Sequence, residues 1–241
     1  MAGTTLLVID TATSRPVLAL RRAPGAPIED GSATAPERGA AGLSTRLTEL
    51  LARTGVAPRD LAAVGAGTGP GSFTGLRVGL ATAKTIAWSL GVPLAGIPTT
   101  DALRRAAADA LGVPGSSLAV LQAAGARDHY LALPGEAPRL VPPAADLATL
   151  TAGHPVLALD ADPARLAGIT GPAGRSPLEA GALATAGLAA ALLALLEERL
   201  ATAATAGSAD ALDDPAALVP AYVALPRGIG ADPAAWTPEL R

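Results

Sequence analysis

Between Leu61 and Leu90 the chain reads as a strand, a glycine loop and a long helix, and that succession points to an α/β unit. Leu61 to Ala66 is an apolar run of strand length. The stretch Gly67-Thr-Gly-Pro-Gly-Ser-Phe-Thr-Gly-Leu-Arg77 comes next, with four glycines and a proline within nine residues. From Thr74 to Leu90 there is no proline, and Ala, Leu and Val dominate, as in a helix. A glycine loop opening into a helix places backbone N–H groups at a helix N-terminus, a common anion site. The same residues also serve as a tight turn with no ligand.

The loop does not match the known phosphate motifs. No Gly-Lys-Ser/Thr comes after it, and Lys84, the chain's single lysine, lies a helix away. The glycine spacing Gly69, Gly71, Gly75 displaces the third glycine of the dinucleotide fingerprint. Ser72 lacks the flanking glycines of a nucleophile elbow and is expected to cap the helix. Within the helix, Gly75, Gly79, Ala83 and Ala87 recur every four residues. That small-residue stripe lets a helix or a sheet approach closely.

Composition narrows the function classes. The 241 residues are long enough for one large domain or two small ones. Half are hydrophobic but only 2% aromatic, so the core is built from Ala, Leu and Val. The formal charge of −3 gives no broad attraction for nucleic acid. With no cysteine, disulfides, thiolate metal sites and thiol nucleophiles are excluded. The N-terminus lacks a basic region and a long apolar stretch and reads as a first strand, not a signal peptide. Ala180 to Leu196 is uncharged but short of the roughly 20 residues of a spanning helix. It is read as buried within one long helix, Leu178 to Ala203, and the protein as cytoplasmic.

In chain order, Leu6–Asp10 and Val17–Arg21 form a hairpin whose tip carries Asp10, Thr11, Ala12 and Thr13. A third strand and a loop are expected in Ala23 to Gly42. Leu43, Leu47, Leu50 and Leu51 mark an amphipathic helix that Gly55 ends. Gly91 to Ile97 reads as turn then strand, and Thr99-Thr100-Asp101 as the cap of a helix reaching Leu111. Leu118–Ala123 pairs with His129–Leu133, and Val156–Leu159 adds a strand. Thr202 to Pro215 reads as a linker. The tip at Asp10 could hold a metal–phosphate pair, or its hydroxyls could simply make the turn. The only histidines, His129 and His154, are too far apart in sequence for a His-x-x-x-His site. His129, beside Tyr130, reads as structural or exposed.

Three stretches, in order and spacing, resemble the TsaB family, the dimerisation subunit of the bacterial complex that makes threonylcarbamoyladenosine in tRNA. They are Leu7-Val-Ile-Asp-Thr-Ala-Thr13, Gly69-Pro-Gly-Ser-Phe-Thr-Gly-Leu-Arg-Val-Gly79 and Val92-Pro-Leu-Ala-Gly-Ile-Pro-Thr-Thr100. The resemblance covers roughly residues 5 to 105 and is thin beyond. It implies an α/β fold of the actin/Hsp70/sugar-kinase (ASKHA) type in two lobes, the second reduced. The first lobe is expected over 1–103 and the second over 104–205. A linker and a partly mobile extended segment are expected over 206–241. It further implies a non-catalytic subunit that binds a TsaD-like catalytic paralogue and a TsaE-like ATPase, self-associates when alone, and meets tRNA at most indirectly. ATP and metal then belong to the partner subunits, with no cofactor here. The implied partner surface is formed by the two first-lobe helices, through Leu43, Leu47, Leu50, Phe73, Gly75, Leu76, Arg77, Gly79, Leu80, Ala83, Lys84 and Ala87. Asp10, Thr11 and Thr13 become a vestigial phosphate loop.

The chain also departs from the family. Glu37 to Leu47 holds no histidine pair of the TsaD kind, and Gly39 or a neighbour stands where many TsaB members carry a histidine. Gly125-Ala-Arg127 and a shortened Asp128-His-Tyr130 replace Asp-Ala-Arg and Glu-Val-Tyr. Gly171-Pro-Ala-Gly174 is a weak stand-in for an adenosine motif. The competing reading is an independent ATP-dependent small-molecule kinase with magnesium on Asp10 and phosphate on the loop at Gly69. A protease reading finds no support, for want of a cysteine, clustered histidines or a serine elbow.

Overall fold

The computed structural model describes residues 5–37, 40–125, 127–206 and 212–223. Alternation sets the first sheet. In β1 (Thr5–Asp10), Leu7 and Ile9 enter one apolar cluster, Leu6 and Val8 another, and both faces are buried. β2 (Val17–Arg21) and β3 (Ile28–Asp30) extend the sheet antiparallel on one side. On the other side, β4 (Leu61–Gly69) and β5 (Leu94–Pro98) run parallel to β1, giving the order β3-β2-β1-β4-β5. Parallel neighbours need crossovers. These are α1 (Leu43–Thr54), ended by Gly55 in the left-handed region, and α2 (Phe73–Leu90). Leu43 and Leu50 of α1 and Leu80, Ala83 and Ala87 of α2 pack on the Leu7/Ile9 face.

After α3 (Thr99–Leu111), a second sheet repeats the plan. β6 (Ala119–Ala124), β7 (Asp128–Ala132) and β8 (Arg139–Val141) are antiparallel. A single turn, α4 (Leu147–Leu150), precedes β9 (Val156–Leu159), which lies parallel to β6. The order β8-β7-β6-β9 matches β3-β2-β1-β4, with no counterpart of β5 among the described residues. α5 (Pro177–Ala186) and α6 (Leu188–Ala206) complete the chain's helices among the described residues. This is the two-lobed α/β fold with a reduced second lobe.

Several expectations change. The single helix over 178–203 is two helices bent by 59° at Gly187. Leu188, Leu192, Leu193 and Leu196 of α6 join Val8, Val17 and Ala19 in one cluster, and Arg21 pairs with Glu197 at 2.9 Å. Thus α6 covers the open face of the first sheet, and a boundary at 205 does not separate the two packing units. Among the described residues no single helix is long and apolar enough to cross a membrane; the bent pair α5–α6 is so by length and composition, and its Ala180, Ala184 and Leu192 lie in the core. Thr99 does not cap α3: Pro98 holds that position, and the Thr99 hydroxyl turns to Asp10.

The expected C-terminal linker also differs. α6 continues to Ala206, and residues 212–223 return to the first lobe. Asp213 accepts from Gly96 N at 2.7 Å and pairs with Arg199 at 3.1 Å. Ala221 N donates to Thr68 O at 2.8 Å, and Leu218 packs against the α1/α2 cluster. Gly39, 207–211 and 224–241 lie outside the described residues.

Candidate functional site

The hairpin tip and the glycine loop meet, as expected of this fold, but they occupy each other. Asp10 is buried at the end of β1. Its Oδ1 accepts from Ala12 N at 2.7 Å and its Oδ2 from the Thr99 hydroxyl at 2.6 Å. Thr99 Oγ1 in turn accepts from Gly69 N at 3.1 Å, so one carboxylate ties β1, β4 and α3 together. Burial pushes the Asp10 carboxyl up, against the lowering pull of these hydrogen bonds. The tip hydroxyls are also engaged: Thr11 Oγ1 donates to Gly75 O at 2.7 Å and Thr13 Oγ1 to Arg15 O at 2.9 Å. Ser72 N donates to Ala12 O at 3.2 Å, and Gln122 Nε2 reaches the same carbonyl at 2.8 Å from the second sheet.

A metal ion on Asp10 does not fit this corner. A Cβ on Gly71 would collide with the Ala12 backbone, and one on Gly75 would lie 2.5 Å from Thr11 O. The loop backbone therefore packs directly on Thr11 and Ala12, and both Asp10 oxygens already have protein partners. The kinase reading, with magnesium on Asp10, fails on this geometry.

The small-residue stripe faces inward. A Cβ on Gly79 would overlap the Thr11 side chain, and Ala83 and Ala87 sit in the core of their own lobe. Gly75, Leu76, Gly79, Leu80, Ala83 and Ala87 are all buried, as are Leu43 and Leu50 of α1. These eight were expected on a partner surface. The correction has a simple cause: the partner that the stripe admits is the lobe's own hairpin and sheet. Leu47, Phe73 and Lys84 are half-buried, and Arg77 is exposed. Ser72 caps α2 as expected, its Oγ accepting from Gly75 N at 3.2 Å.

The outward side of α2 carries Arg77, Val78, Ala81, Thr85 and Trp88, all exposed, with Trp88 at 78%. Sequence reading passed over Trp88 and Val78. Both become legible once the glycine stripe is turned inward, because the opposite face must then be theirs. The returning segment borders this face. Lys84 Nζ donates to Leu218 O at 3.0 Å. Tyr222 lies 5.3 Å from the Phe73 ring, and Arg77 stands 4.6 Å over that ring. Of the five exposed large hydrophobics among the described residues, Val78, Trp88, Val219 and Tyr222 belong to α2 or this segment, which concentrates apolar exposure on one side.

Between the lobes lies a cleft of about 940 Å³, lined by Thr11 to Ser14, Ser72 to Gly75 and Gln122 to Gly125. Glu37 on its rim pairs with Arg46, which holds its carboxyl below the usual range. His129, expected to be structural or exposed, is buried at 4% exposure, and burial pushes its imidazole down.

The repeated sheet plan, the crossover helices and the hairpin corner define a two-lobed protein of the actin/Hsp70/sugar-kinase type. The fold matches, with a TM-score of 0.60, the crystal structure of an uncharacterized Pseudomonas aeruginosa protein with similarity to peptidase YEAZ, at 20% identity over 92% of this chain and 100% of that one. In sequence, residues 36–141 match the family described as TsaD, tRNA N6-adenosine threonylcarbamoyltransferase. The tRNA threonylcarbamoyladenosine biosynthesis protein TsaB of Bacillus subtilis is 43% identical over 54 residues, 22% of this chain and 24% of its own. TsaB of Escherichia coli is 31% identical over 99 residues, 39% of this chain and 40% of its own. These matches span less than half the length of either relative. Within the two-lobed class, the chain is thus similar to TsaB proteins over part of their length.

Proposed function

We propose that the chain is a non-catalytic subunit in the formation of threonylcarbamoyladenosine in tRNA, and that it docks a TsaD-like catalytic subunit on the outer face of α2. The kinship with TsaB proteins and the match of residues 36–141 to the TsaD family support the pathway. The observation that carries the role is Trp88, 78% exposed on a helix whose inner face is locked into a filled phosphate corner. Large aromatic side chains exposed beside apolar neighbours are typical anchors of protein interfaces. On this reading a TsaE-like ATPase joins the pair, ATP and metal reside in the partner subunits, and tRNA is met at most indirectly in the cytoplasm. In isolation the same face pairs two copies. Asp10, Thr11 and Thr13 retain the outline of a phosphate loop and now seat α2.

The test is Trp88→Asp. Affinity for the TsaD-like subunit should fall at least about 30-fold, as for a central aromatic anchor, while the thermal midpoint of the subunit alone stays unchanged. Undiminished binding by the folded variant would place the interface elsewhere. Gly79→Leu is unsuitable for this purpose, because it disrupts the lobe itself.

A further inference from the structure

The second sheet has a corner equivalent to the one at Asp10. The β6–β7 hairpin tip corresponds to the β1–β2 tip, and the end of β9 corresponds to the end of β4. After β4 the glycine loop and α2 seal the first corner. After β9 the chain passes through Asp160, Ala161 and Asp162 into a single 3₁₀ turn, Pro163–Leu166. No long helix starts there, and a cavity of about 350 Å³ remains. That is at the small end of ligand sites, which run from roughly 300 to 1,000 Å³.

The lining is unusual for an accidental void. Arg127, Asp128, His129, Asp160, Asp162 and Arg165 all face it. His129 Nδ1 and Arg165 Nε are buried and have no hydrogen-bond partner among the described residues. The guanidinium is held in place, since Arg165 Nη2 donates to Ala145 O at 3.0 Å. Asp162 is fixed by accepting from Ala164 N at 3.0 Å. Asp160 takes a left-handed backbone with φ of 53°, uncommon outside glycine and a conformation that clusters at ligand-holding positions. Leaving each buried polar atom unpartnered costs on the order of 1–3 kcal/mol, so the arrangement is incomplete without a further donor or acceptor.

The charges select the ligand. Two guanidinium groups and three carboxylates border one small space. A free oxyanion would meet the carboxylates, and a bare cation would meet the arginines. We propose that this corner binds a small zwitterion of the α-amino-acid class, its carboxylate received by the Arg165 guanidinium and the His129 ring and its ammonium facing the aspartates. Charge-assisted bonds at both ends give such a ligand two anchors that neither half alone possesses.

The chain has two histidines, which makes the test direct. Imidazole resonances of the full chain are followed by NMR, and His154→Gln assigns the pair. Glycine and L-alanine should shift the His129 signals saturably, with Kd of about 1 mM, and leave His154 still. Acetate and methylammonium should each act at least about tenfold more weakly. Arg165→Gln should weaken the glycine response by a similar factor. No His129 shift with either amino acid means that the corner holds solvent only and overturns the proposal. An equal response to acetate overturns it in favour of a simple carboxylate site. The wild-type selectivity decides the matter even if Arg165→Gln fails to fold.

Discussion

At the first corner the chain leaving β4 folds back on Thr11 and Ala12, and the side chains of Asp10, Thr11 and Thr13 find partners inside the protein. At the second, the chain leaving β9 turns away after Asp160 and leaves His129 Nδ1 and Arg165 Nε unpartnered beside a cavity. The two corners have one strand order and differ in the segment that leaves the parallel strand. A glycine-rich start of a long helix closes a corner by bringing backbone onto backbone. A short turn with side chains does not. The corner that resembles a phosphate loop in sequence is therefore the one whose carboxylate and hydroxyls its own fold has engaged, and unpartnered polar atoms lie at the other.

Gly79→Leu attacks the filled corner most severely. The added side chain must displace Thr11, whose hydroxyl holds Gly75 O. Stability should fall by about 3 kcal/mol or more, the upper range for overpacking a tight site. Urea midpoints read this directly. A loss under about 1 kcal/mol would mean that α2 can lift from the hairpin without cost, and the corner is then less filled than its geometry states.

A smaller effect concerns Asp10. Its carboxyl is raised by burial above the ordinary value of 3.8. The folded protein therefore binds this proton more tightly than the unfolded chain does. The stability it contributes is fully present below the unfolded value and is lost as pH rises through the folded one. Asp10→Asn keeps an acceptor for Ala12 N and removes the titration, so it should flatten this part of the pH profile. Glu37 works in the opposite sense, since its lowered carboxyl loses stability as pH falls. Subtracting the variant's profile from the parent's isolates Asp10. An unchanged slope above pH 3.8 would show that Asp10 carries no raised carboxyl.

Much of the closed corner was legible in the sequence, and the open one was not. Alternation in Leu6 to Asp10, the glycine run and the Leu spacing of α1 state their elements because local periodicity and turn chemistry decide them. The stripe Gly75–Gly79–Ala83–Ala87 stated that something approaches closely and not what. Choosing between a partner and the lobe's own hairpin needs the long-range pairing of β1 with β4. The placement of α6 was hidden for a related reason. Chain order assigns it to the second lobe, while the uncovered face of the first sheet claims its leucines. His129 gave no signal at all, because its meaning comes from Arg165 and Asp160, which stand on other segments.

The smallest effect contrasts the two tips. Gly125 lies at the second tip with φ of 74° and no atom within 4 Å of an added Cβ. Gly71, in the loop packed on the first tip, has the Ala12 backbone in that place. A substitution at Gly125 thus meets only the local cost of a left-handed side chain, about 1 kcal/mol. A substitution at Gly71 meets that of a collision between two backbones. Gly125→Ala should lower stability by that modest amount and leave the response of His129 to glycine intact, since Gly125 supplies only a wall of the cavity. A loss as large as that of Gly79→Leu would mean that the second tip is packed like the first. The cavity, and the contrast between the two corners, would then both be wrong.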